Sequence, residues 1–130
     1  EGIVHIENKM VVFTKNRSTL TSEVYVISPS GGPATKMGSL PVGSLITGAD
    51  FHQQSKTLAL TGYKRDDSQY LYVIDNFSLS AIADANINQY ELNFNGAQIE
   101  GISIIDAKNF WITSEETNLY DAFLAKIELQ

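Results

Sequence analysis

One unit of sequence occurs three times in this chain. Glu1 to Ile3 reads Glu-Gly-Ile, Thr47 to Ala49 reads Thr-Gly-Ala, and Glu100 to Ile102 reads Glu-Gly-Ile again, each opening a short apolar strand. A second strand ending in Thr follows each time: Val11-Val12-Phe13-Thr14, Leu58-Ala59-Leu60-Thr61 and Phe110-Trp111-Ile112-Thr113. A third contains Ile: Val24-Tyr25-Val26-Ile27, Leu71-Tyr72-Val73-Ile74 and Leu124-Ala125-Lys126-Ile127. The glycines lie 46 and 53 residues apart, which is the length of a four-stranded propeller blade and too long for most solenoid repeats. Thr to Ile spans 13, 13 and 14 residues while the intervening loop changes completely. Constant strands with variable loops are the pattern of one scaffold carrying different surface chemistry.

The fold class is therefore all-β, with three four-stranded antiparallel repeats over approximately residues 1–44, 45–97 and 98–130. Thr35 to Leu40 and Gln89 to Phe94 supply fourth strands to the first two units, but the third stops after its third strand, so its outer strand is missing. Propellers close by lending a strand from the other end of the chain, because unpaired edges leave backbone donors and acceptors exposed. The chain accordingly reads as the C-terminal part of a longer, six-bladed propeller, whose remaining blades are its partners. The alternative is a half-ring completed by a second copy of the chain. No stretch sustains an amphipathic helical period, and Ser78 to Asn86 is expected to hold one turn or an irregular insertion.

Composition removes several function classes. A net charge of −6 with scattered basic residues argues against nucleic acid, since phosphate contacts need clustered Lys and Arg. No apolar run is long enough for a membrane span. With no cysteine, disulfides, thiolate metal sites and cysteine nucleophiles are excluded. His5 and His52 are the only histidines, too few for a His-based metal cage, and neither has the Ser and Asp company of a triad. Trp111 is expected to pack between blades, and Tyr25 and Tyr72 to repeat a packing role. Asp66-Asp67-Ser68 and Ser30-Gly31-Gly32-Pro33 read as turns, because the first lacks a calcium-loop spacing and the second lacks the Lys of a phosphate loop.

In an up-and-down blade the start of the first strand and the turn after the second lie on one face of the disc. That places Glu1, Thr47 and Glu100 on a common rim with Lys15, Asn16 and Arg17, with Tyr63, Lys64 and Arg65, and with Glu115 and Glu116. Concave polar mouths with convergent groups are the default ligand position. Glu1 and Glu100 could offer carboxylate oxygens to calcium, whose shell needs six to eight oxygens from several blades. Alternatively they accept backbone hydrogen bonds, or pair with Lys15 or Arg17.

The segments Leu45 to Phe51, Leu58 to Tyr63, Gln98 to Ile102 and Phe110 to Glu116 resemble the blades of bacterial extracytoplasmic propellers of the kind common in Bacteroidetes, and are similar to the SdiA-regulated and esterase-like phytase propellers. The resemblance implies a secreted, periplasmic or cell-surface protein. A more distant resemblance, to gluconolactonase-like propellers, rests on Glu1-Gly2 and Glu100-Gly101, where that family places a metal ligand; Thr47 departs from it, and the family's Asn and Asp ligands have no counterpart. The expected function is a non-catalytic module that binds a carbohydrate, peptide or protein. The alternative is a calcium-assisted hydrolase of a phosphoester or lactone, and a purely architectural domain is the third reading.

Overall fold

The computed structural model covers Glu1–Gln130 and is built almost wholly of strands. The first sheet is a meander of β1 (Gly2–Ile6), β2 (Lys9–Phe13), β3 (Ser22–Ile27) and β4 (Thr35–Leu40). The second repeats it with β5 (Leu45–His52), β6 (Thr57–Tyr63), β7 (Gln69–Ile74) and β8 (Ile87–Leu92). The third has β9 (Gln98–Ile104), β10 (Asn109–Glu115) and β11 (Phe123–Glu128), with no fourth strand. All neighbouring strands are antiparallel. A single 3₁₀ turn, Ile82–Asp84, falls inside the expected insertion, and no helix is long and apolar enough to cross a membrane.

The second sheet lies between the other two and is buried on both faces. Leu58, Leu60, Tyr72 and Ile74 join Val4, Val11, Phe13 and Val24 of the first sheet in one core. Ala59, Leu71 and Val73 turn the other way and join Ile99, Phe110 and Ile112 of the third. Residues of one strand alternate between two cores because successive side chains point to opposite faces. Two-sided burial explains why β6 and β7 read as continuous apolar runs, whereas β1, β10 and β11 alternate. Buried Tyr72 needs a partner for its hydroxyl and finds it in Ser44 Oγ on the link between the sheets. Burial pushes its phenol up to about 12, with the Ser44 bond opposing.

The sheets meet along their first strands, and glycine sets how close they come. A Cβ on Gly2 would sit 2.5 Å from Ala49 Cβ, and one on Gly48 would sit 2.6 Å from the Glu100 carbonyl oxygen. Gly48 and Gly101 also lie opposite Thr61 and Thr113 across the first hairpin, whose hydroxyls occupy the space a side chain would need. This pairing gives the recurrence of Gly and Thr in the second and third units a physical meaning.

The first unit breaks that pairing. Gly2 lies opposite Phe13, not Thr14, so Phe13 is the true counterpart of Thr61 and Thr113, and aligning Thr14 with them is a one-residue error. The cause is a two-residue turn at Glu7 and Asn8, both left-handed at φ 51° and 60°, the geometry that suits a tight hairpin. The third strands align as the sequence suggests: Phe13, Thr61 and Thr113 pair with Val24, Leu71 and Leu124. Trp111 is corrected too, since it projects from the open face of the third sheet at 41% exposure rather than packing between sheets.

Overpacking at the first-strand contact should be destabilising because the obstacle is backbone. Gly48→Ala is expected to lower stability by about 1–3 kcal/mol. Gly101→Ala should cost less, since its Cβ meets only the Thr113 side chain, which can turn away. Urea denaturation of both variants, with unchanged slopes, checks the ordering.

Candidate functional site

Each first strand begins at the same end of the stack, and there the backbone departs from regular pairing. In β5 the register steps from Ile46 opposite Gly62 to Gly48 opposite Thr61, leaving Thr47 as an extra residue. In β9 it steps from Ile99 opposite Ser114 to Gly101 opposite Thr113, leaving Glu100 as the extra residue. These β-bulges fall on the residue before the repeat glycine in both units. A bulge re-aims a side chain and is enriched beside functional sites. Thr47 spends its side chain on structure: its hydroxyl donates to the Ile99 carbonyl at 2.6 Å and lies 3.2 Å from Thr61 Oγ1, tying the second sheet to the third. Glu100 stays exposed, and its Oε1 accepts only from Gln98 Nε2 at 3.2 Å.

A cavity of about 420 Å³ opens at this end and draws its lining from all three sheets. The first supplies Lys15 and Arg17, the second Thr47, Tyr63, Asp67 and Gln69, and the third Gln98, Ile99, Glu100 and Thr117. Each loop is fixed by its own hydrogen bonds. Asn16 Oδ1 accepts from the Ser18 and Thr19 amides, setting the loop that carries Lys15 and Arg17. Lys15 Nζ lies 5.4 Å from the centre of the Tyr63 ring, within cation–π range. Arg65 donates to the Arg17 carbonyl at 3.3 Å, joining the loops of the first two sheets. Asp66 Oδ1 accepts from the Ser68 hydroxyl at 2.5 Å and the Ser68 amide at 3.1 Å, which closes the turn that presents Asp67. Thr117 Oγ1 accepts from the Leu119 and Tyr120 amides.

Charge in the mouth is unpaired. The molecule has one ion pair, Lys36 with Glu23 at 2.7 Å, on the outer strands of the first sheet. Lys15 and Arg17 therefore share a cavity with Glu100 without forming a salt bridge to it, contrary to the pairing the sequence suggests. The Glu1 ammonium donates to the Ile46 carbonyl at 2.9 Å. Its pKa is lowered chiefly by burial, with Lys15 adding and the Glu1 and Glu100 carboxylates opposing.

Of the residues expected on the rim, Lys15, Arg17, Thr47, Tyr63 and Glu100 line the cavity. Lys64 instead lies 4.2 Å over the Tyr70 ring, while Glu1, Glu115 and Glu116 are exposed and stand outside the lining. Asp67 reads from the sequence only as part of a solvated turn, and Gln69, Gln98 and Thr117 carry no site assignment there. Gln98 had a legible signal, standing two residues before Glu100 on the same strand; the others depend on loop closure. His52 Nδ1 contacts Ser55 Oγ at 2.8 Å, but the Ser55 hydroxyl donates its hydrogen bond to Thr57 Oγ1 at 2.9 Å, so the contact stitches a turn rather than building a nucleophile.

The donor set does not match calcium. No group of three or more His, Cys, Asp or Glu side chains is gathered to hold a metal, and Glu1 with Glu100 supplies far fewer oxygens than the six to eight required. No protein family, curated protein or solved structure matches the chain.

The Asp66 carboxyl is held below its usual value first by the Ser68 hydroxyl and then by the Ser68 amide. Because its folded pKa is depressed, the ordering it gives this turn is present above its ordinary pKa and is lost as pH falls through the folded value. Ser68→Ala should move the Asp66 titration upward, toward the ordinary carboxylate range. Carboxyl carbon shifts followed by NMR across acid pH measure this, and an unmoved titration would count against the Ser68 bonds.

Proposed function

We propose that this chain is a non-catalytic ligand-binding module assembled from propeller-type blades, and that its ligand seats in the mouth shared by the three sheets. The observation that carries the reading is the convergence of Lys15, Arg17 and Glu100, none of them in an ion pair, on one cavity beside the half-buried ring of Tyr63. Charges left unpaired at the mouth of a rigid scaffold are available to a ligand without first breaking an internal bond. A half-buried tyrosine supplies a flat apolar surface with a polar tip. Gln69, Gln98, Thr47 and Thr117 add donors and acceptors around it. This mixture suits a polyhydroxylated or zwitterionic ligand, a carbohydrate or a short peptide, better than a purely anionic or apolar one. The resemblance to extracytoplasmic propellers fits a secreted or surface setting for such a module.

Catalysis by a metal is not favoured, because the two rim carboxylates lack further oxygen donors. A calcium ion bound to the folded state should add about 2.7 kcal/mol of stability at a hundredfold excess over its dissociation constant. The expected result is no calcium-dependent shift in thermal unfolding, and a saturable upward shift would restore the hydrolase reading.

The binding reading is tested with a glycan and peptide array, followed by calorimetry on the hits. Tyr63→Ala and Arg17→Ala are each expected to weaken binding by roughly tenfold to a hundredfold, the range set by losing about 1.4–2.8 kcal/mol of contact. Lys9→Ala lies on the opposite end of the first hairpin and should leave affinity unchanged. Retained affinity in both mouth variants would move the site elsewhere.

A further inference from the structure

We propose that the two outer faces of the three-sheet stack form a head-to-tail interface, in which the open face of the third sheet receives the open face of the first sheet of a second copy of this chain. The argument comes from register. Val11, Ala59 and Trp111 occupy the same position on the second strand of each unit, fixed by their partners across the ladder. In the first two units that position faces the next sheet and is fully buried; in the third it faces outward and holds Trp111 at 41% exposure. Val24 and Leu71 are likewise fully buried, and their counterpart Leu124 is 63% exposed.

The opposite face shows the same imbalance at the other end. Leu58 and Phe110 are fully buried against the preceding sheet, while their counterpart Met10 is exposed. Leu60 and Ile112 are fully buried where Val12 is only half-buried, and Tyr72 is fully buried where Tyr25 is not. Ile3, directly after the repeat glycine, is 60% exposed. Apolar residues thus stand in solvent at both ends of the stack, at positions that elsewhere in this molecule are covered by a sheet of the same repeat.

Gly101 indicates what covers the third sheet. Gly2 and Gly48 are needed because the next first strand passes within contact of where a Cβ would be, Ala49 in one case and the Glu100 backbone in the other. Gly101 holds the equivalent position, yet no neighbouring sheet approaches it; only its own hairpin partner Thr113 is near. Its face keeps the clearance that admits a further first strand. β1 of a second copy is the strand of this repeat whose own receiving side, bearing Ile3, is open. Side-chain sizes on the two open faces are complementary: the third sheet presents Trp111 where the others present Val11 and Ala59, and the first sheet has the smaller Val12 where the others have Leu60 and Ile112. The contact is heterologous, joining unlike faces, and two copies close a ring when each supplies one of each.

Trp111 is the chain's only tryptophan and reports directly on the interface. Light scattering of the chain over a dilution series is expected to show a dimer giving way to monomer, with Trp111 emission shifting to the red as the dimer dissociates. Ile3→Glu and Leu124→Glu change exposed positions on the two faces, so each should retain its strand circular dichroism and abolish association. Mixing the two variants is expected to restore dimer and part of the blue-shifted emission, because one intact pair of unlike faces remains. Three results would overturn the proposal: a wild-type monomer at all soluble concentrations, association lost in only one single variant, or no recovery on mixing. The second of these is the signature of like faces meeting, and the first would leave the faces to sheets supplied from elsewhere.

Discussion

The close approach of successive first strands at glycine is the constraint on which the rest of this molecule depends. Gly2 against Ala49 and Gly48 against the Glu100 backbone leave no room for a side chain, so the sheets converge along one edge. Convergence there leaves the second and third strands to be filled by larger side chains, and the two cores contain Phe13, Tyr72, Leu58 and Leu60 on one side and Phe110, Ile112 and Leu71 on the other. Hydrogen bonds lock the same edge. The Glu1 ammonium reaches the Ile46 carbonyl and the Thr47 hydroxyl reaches the Ile99 carbonyl, each from the residue before a glycine to the residue two before the next. Asp50 Oδ2 accepts from the Ile104 amide at 2.7 Å and extends the tie between the second and third sheets.

That edge also determines where chemistry can be displayed. The residue before the glycine stands as an extra residue in its ladder in the second and third units. Once bulged, the position no longer needs to serve the ladder, and its side chain is free to vary. Thr47 uses it for an intersheet bond, whereas Glu100 leaves a carboxylate at the mouth. The same backbone event thus yields a structural group in one unit and a carboxylate without an ion-pair partner in the next.

Much of this was legible from the sequence. The glycine repeat marks the first strands, the third strands align residue for residue, and the three-stranded last sheet follows from the chain's own count of strand segments. What stayed hidden were events that hinge on a single residue of spacing. Thr14 looks like Thr61 and Thr113, yet the left-handed turn at Glu7 and Asn8 shortens the first hairpin and puts Phe13 in their place. Glu–Asn is not the Asn–Gly pair that usually announces such a turn, so nothing local flagged it. A tryptophan on a second strand reads as packing between sheets, but the strand position of Trp111 points away from the only sheet beside it. The bulges were invisible for the same reason: they count residues between strands rather than naming them.

The candidate mouth was legible in its membership more than in its electrostatics. The stacking of the three sheets brings Lys15, Arg17, Tyr63 and Glu100 together, and on sequence alone opposite charges so placed are open to assignment to each other. In the structure no such pair forms: Lys15 faces an aromatic ring, and only the backbone carbonyl of Arg17 is engaged, tying its loop to Arg65, while its guanidinium has no ion-pair partner. Surface ion pairs contribute little, with typical values of about 0–1 kcal/mol, so a loop fixed by backbone hydrogen bonds has small reason to form one. Leaving the carboxylate and the cations apart forgoes almost no stability. It also keeps both signs of charge presented to whatever enters, which is the physical basis for reading this end of the molecule as a binding surface.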